Sequence, residues 1–126
     1  MNNLGTTYRI GGVFMVENLN NGKMLIGSSF DVEKHRKQLR ALLEAGEHPN
    51  TELQMDYSAH NRFRFNLLHV GIYPKYQDYT NERRKLYDLE RRYVNQYRAM
   101  EKGYNKRIGK QKIEKAPDAN ASEAGE

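Results

Sequence analysis

A short apolar run, a tight turn and a second apolar run near the amino end set the first limit on what this chain can fold into. Residues 12–17 read Gly-Val-Phe-Met-Val-Glu, Asn20, Asn21 and Gly22 follow, and residues 23–29 return as Lys-Met-Leu-Ile-Gly-Ser-Ser. β-Branched and aromatic side chains favour extended backbone, while Asn-Gly pairs tolerate the positive φ of hairpin turns. The segment therefore predicts a β-hairpin whose second strand stops at Gly27-Ser28-Ser29. Asp31 is placed to cap a helix in which Val32, Leu39, Leu42 and Leu43 recur at helical spacing, with Gly46 as its end.

The remaining elements follow from the same signals. Pro49, Asn50 and Thr51 open a shorter helix carrying Leu53, Met55 and Tyr57. Residues 63–70 alternate at first and predict a third strand, followed by a loop with Gly71, Pro74 and several tyrosines. From about residue 81 to 100 a helix is expected, because Leu86, Leu89, Tyr93, Tyr97 and Met100 make one apolar stripe. The fold class is α/β: a small antiparallel three-stranded sheet flanked by helices. One domain over 1–105 is expected, with a tail over 106–126, basic and then acidic, that buries too little to offset its ordering entropy and is expected to be disordered.

Composition narrows the function classes. There are no cysteines, so no disulfide framework and no thiolate metal site is available. No run approaches the ~20 apolar residues of a membrane span, and the first residues lack the basic and apolar pattern of a secretory signal. A cytoplasmic or other soluble intracellular location, with no membrane partner, is the expectation. The formal charge is +5, moderate in itself, but Arg83, Arg84, Lys85, Arg91, Arg92 and Arg98 fall in one segment. A soluble surface of mixed signs is the alternative, but clustered guanidinium groups suit a phosphate backbone, so nucleic acid is the favoured partner, through Arg83, Arg84, Arg91 and Arg92.

An ordered series of residues carries a family likeness. It runs Asn21-Gly22-Lys23, Ile26-Gly27-Ser28-Ser29, Gly46, His48, Asn50, Leu53, Gln54, Phe63, Phe65, Glu90, Tyr104 and Asn105. In this order and spacing, over roughly residues 11–105, the chain resembles the GIY-YIG nuclease family. In that family the two hairpin strands carry Gly-Ile-Tyr and Tyr-Ile-Gly, and the tyrosines belong to the active site. Phe14 and Leu25 stand at those tyrosine positions here.

The resemblance implies a set of roles. Glu90 takes the position of the glutamate that holds a single divalent cation, Mg2+ or Mn2+, against the scissile phosphate. On a helix it sits beside the apolar stripe, where a carboxylate is costly to desolvate without a cation; the alternative is an ion pair with a nearby arginine. The family arginine on the first helix falls on His35, with Arg36 adjacent, and both flank the buried face. A solvated basic face is the alternative for either. His48 and Asn105 match positions that support catalysis, although a histidine before proline also suits a turn. Neither Phe14 nor Leu25 can move a proton, and such a loss typically costs about 10²–10⁴-fold in rate. Tyr8 and the tyrosines of 73–79 are candidate sources of a replacement hydroxyl, or simply packing.

Three readings remain open on the sequence. The first is a GIY-YIG-fold protein that binds DNA with weak or no phosphodiester cleavage. The second is an active divalent-metal-dependent DNA endonuclease using Glu90, His48, Asn105 and His35 or Arg36. The third is a protein-interaction module whose basic surface meets an acidic protein partner.

Overall fold

The structure, a computed structural model, describes residues 8–75 and 79–106. In chain order these form strands β1 (Tyr8–Asn18) and β2 (Met24–Ser29), helices α1 (Val32–Ala45) and α2 (Thr51–Ala59), strand β3 (Phe63–Pro74), and helices α3 (Thr80–Tyr97) and α4 (Ala99–Lys102). The three strands make one antiparallel sheet in the order β2-β1-β3. The central strand is therefore the first in sequence, and it is covered on both faces. That is why Gly11 to Val16 are all buried, without the polar alternation of a half-exposed strand.

The alternation of β1 sorts its side chains into two cores. Val13 and Met15 pack with Ile26, Leu86, Val94 and Ala99 on the α3 side. Phe14 and Val16 pack with Leu39, Leu43, Leu53 and Tyr104 on the α1/α2 side. Between Val13 and Phe14 the register with β3 slips by one residue, from His69 to Leu67. The bulge takes Leu68 out of the ladder, and the Leu68 carbonyl accepts a hydrogen bond from the Tyr93 hydroxyl at 3.0 Å. Next to the bulge, Gly12 has φ 149°, and a Cβ there would lie 1.8 Å from the His69 carbonyl oxygen. Only glycine lets the two strands approach so closely.

Helices α1 and α2 start at side-chain caps. The Asp31 carboxylate accepts the Lys34 N–H, the Asn50 amide oxygen accepts the Leu53 N–H, and α1 ends at Gly46. Four expectations need correction. Strand β3 continues through Pro74, because Gly71 to Pro74 pair with Tyr8 to Gly11 where a loop was expected. The late helix breaks at Arg98, which adopts a left-handed φ of 54°, so Ala99 turns inward and Met100 outward at 46% exposure. Leu42 also faces out, at 38%. Met55 does so on α2, whose buried face carries only Leu53. On α1 the spacing of Leu42 is helical, but the supporting surface is too narrow to cover every apolar residue.

The segment after α4 closes the free edge of β2. The Tyr104 N–H donates to the Met24 carbonyl at 2.7 Å, and the Asn105 amide both donates to the Ile26 carbonyl and accepts its N–H, each at 2.8 Å. The buried Tyr104 hydroxyl donates to Asp56 at 2.7 Å and accepts from Asn18 at 2.9 Å. Burial, with the Asp56 carboxylate holding the proton, pushes this phenol up to about 12. The tail expected over 106–126 lies, beyond Lys106, outside the described residues. Among the described residues no helix is long and apolar enough to cross a membrane.

Candidate phosphate-binding cleft

A cleft of about 360 Å3 opens where the end of β2, the first turn of α1 and the first half of α3 diverge. Ser28, Phe30, Lys34, His35 and Arg83 line it, and Arg9 reaches it from the start of β1. Lys34 and His35 arrive because Asp31 starts the helix just before them. Arg83 arrives because it precedes the buried Leu86, Glu90 and Val94 on one face of α3, at spacings of three and four residues, as the exposed first member of that row.

Glu90 is 6% exposed, one helical turn beyond Leu86. The β2 residues that face α3 are Met24, Ile26 and Ser28, so the last of them meets the carboxylate. The Ser28 hydroxyl donates to Glu90 at 2.5 Å. A carboxylate so placed stays costly to desolvate unless its remaining lone pairs are met. Among the described residues no group of three His, Cys, Asp or Glu side chains is assembled to hold a metal. This donor set still fits magnesium, which keeps several waters and binds through one or two carboxylates together with substrate phosphates. Glu90 would hold the cation, and the cation would neutralise charge on a bound phosphate.

Phe14 and Leu25 lie on the other face of the sheet from Glu90. Phe14 is 2% exposed; its ring stacks on Phe65 at 5.1 Å and meets the His35 ring at 4.7 Å. The ring tip also covers Gly27, where a Cβ would lie 2.6 Å from Cζ. Leu25 packs against the same cluster. The two positions are thus filled with hydrocarbon that serves the α1/α2 core.

His35 and His48 resist protonation. Burial lowers the pKa of His35, and the neighbouring His48 adds to the effect; burial likewise lowers that of His48. His48 Nδ1 accepts the Asn50 N–H at 3.0 Å, which places its proton on Nε2. Because the folded protein resists charging these rings, the unfolded chain binds protons first on acidification. Stability is expected to be fully present above about pH 6.5 and to fall as the pH drops below it. Chemical denaturation between about pH 5 and 7 should show that slope, and His35→Gln should flatten it. A slope unchanged by the substitution would mean that His35 titrates freely.

The remaining expected site residues divide. Arg36 forks onto Glu33, with Nη2 to Oε2 at 2.6 Å and Nε to Oε1 at 3.2 Å, so His35 is the member of that pair which lines the cleft. Asn105 has its amide engaged with the backbone of Ile26, at the edge of β2. Arg83 lines the cleft, whereas Arg91 pairs with Asp88 at 3.1 Å and Arg84 and Arg92 lie exposed on other faces of α3. Of the clustered arginines of the sequence, Arg83 is therefore the one that lines this cleft. Sequence reasoning missed Arg9, Lys34 and the ring pair Phe30–Tyr79. The Tyr79 hydroxyl accepts from Arg9 at 2.9 Å and itself donates to the Pro74 carbonyl. The only hint of Lys34 was its place beside His35, and nothing in the spacing joined residue 9 to residue 79.

No family model matches the chain, and no curated protein matches it by sequence. Among solved structures it is similar to the catalytic domain of the homing endonuclease I-TevI, with 25% identity and a TM-score of 0.62 over 76% of this chain and 97% of that one. A Glu-to-Ala mutant of the I-TevI catalytic domain gives a TM-score of 0.63 at 24% identity, over 76% of this chain and 92% of that one.

Proposed function

We propose that this chain, whose fold is that of the GIY-YIG nucleases, is a DNA-binding domain with weak or no phosphodiester cleavage. The observation that carries the reading is the pairing of Phe14 with His35: a buried hydrocarbon ring against a neutral imidazole, where the family resemblance implies a phenol and a guanidinium. Neither the proton transfer nor the fixed positive charge that would stabilise a pentavalent phosphate is supplied there. Binding needs neither of them. A cleft with Arg9, Lys34 and Arg83 on its walls attracts a phosphate backbone by charge alone, with release of condensed counterions.

The buried Glu90 favours a second reading, a metal-dependent endonuclease. In that case Glu90 would orient the cation, Ser28 would fix the carboxylate, and the Nε2–H of His48 would offer a hydrogen bond to substrate. The two readings separate in one experiment. Duplex DNA is expected to be retained at low salt and released as salt rises. Supercoiled plasmid with magnesium or manganese is expected to be nicked about 10²–10⁴-fold more slowly than by a phenol-bearing domain of this fold. Rapid nicking that Glu90→Gln abolishes would replace the first reading by the second. Absence of retention at low salt would overturn both.

A further inference from the structure

The cleft holds a feature that neither the family resemblance nor the sequence pattern calls for. Two guanidinium groups from distant parts of the chain are each laid on one ring of a packed aromatic pair. Arg9 Cζ lies 5.2 Å from the centroid of Tyr79, and Arg83 Cζ lies 5.1 Å from that of Phe30. The two rings are 4.4 Å apart and tilted by 32°, and Tyr73 closes edge-on against Phe30 at 4.9 Å. Arg9 is further tethered through Nη2 to the Tyr79 hydroxyl, while its Nε is buried with no hydrogen-bond partner. Leaving a charged donor unpaired is costly. A chain that needed Arg9 only for stability would do better with a hydrocarbon side chain in its place.

We propose that Arg9 and Arg83, fixed by Tyr79 and Phe30, form a phosphate clamp that grips the DNA backbone at the mouth of the cleft, with Lys34 as a third cation. This rests on the DNA-binding reading above and gives it an anchoring site. A guanidinium laid on a ring has lost most of its rotamer freedom before the ligand arrives, so less entropy is lost on binding. Its planar fork still presents N–H donors to phosphate oxygens. An exposed lysine on a helix supplies charge without that organisation. The clamp also accounts for the long reach of β1 and β3 past the core. Tyr8 to Gly11 pair with Gly71 to Pro74, and this extension carries Arg9 to Tyr79.

The test is fluorescence anisotropy of a labelled duplex titrated with the full chain over a range of potassium chloride. Arg83→Gln is expected to weaken binding about 5–20-fold at roughly 100 mM salt and to reduce the slope of log K against log salt by about 1. Arg9→Lys keeps the charge and loses the fork and the ring contact. It should weaken binding several-fold and leave the slope nearly unchanged. Lys102→Gln, on exposed α4, should stay within roughly twofold of wild type. Wild type that binds, with both arginine variants no weaker than Lys102→Gln, would overturn the clamp while the DNA-binding reading stands. Failure of wild type to bind at low salt would remove that reading and the clamp with it. Thermal melts accompany each variant; should Arg9→Lys fail to fold, the exposed Arg83 decides the outcome alone.

Discussion

Gly12→Ala is expected to abolish the folded domain, at a cost of more than about 4 kcal/mol. The added Cβ would sit 1.8 Å from the His69 carbonyl oxygen, and φ is 149°, a region that L side chains rarely adopt. Neither problem can be relieved alone. Moving β1 away from β3 opens the ladder on the central strand, and rotating φ redirects Val13 and Phe14 away from their cores. Far-ultraviolet circular dichroism should show no cooperative melt. A variant melting within a few degrees of wild type would mean that the register around the bulge differs from the one described.

Phe14→Ala comes second, at about 3–5 kcal/mol, which for a domain of this size lowers Tm by roughly 15–25 °C. The ring touches Phe65 and His35 and covers Gly27, three elements that do not repack into one small void. The expected result also bears on function. If residue 14 serves packing, Phe14→Leu should recover most of the loss, since leucine leaves a much smaller void than alanine. Equal damage from leucine and alanine would instead assign the ring a specific role against His35.

The elements whose information is local were legible in the sequence. The Asn21-Gly22 turn, the Asp31 and Asn50 caps and the Gly46 stop fixed the hairpin and the first two helices, because each acts on neighbouring backbone. Glu90 beside an apolar stripe was legible too, since 3.6 residues per turn is a property of the helix alone. The limits appear where a partner is distant. That Asn105 would clasp the backbone of Ile26, far back in the chain, through both ends of its amide was not legible. Which of Arg83, Arg84, Arg91 and Arg92 lines the cleft, namely Arg83, was likewise not legible.

The sequence by itself determined the architecture, three strands and their helices in the order of a GIY-YIG domain. Periodicity, caps and turns are short-range physics, and they survive without knowledge of the rest of the chain. Only the tertiary structure decided which cations share the cleft. That depends on the long β1–β3 pairing bringing residue 9 to residue 79 and on the ring of Phe30 meeting Arg83. Such contacts arise from packing between segments far apart in sequence, where no spacing rule operates.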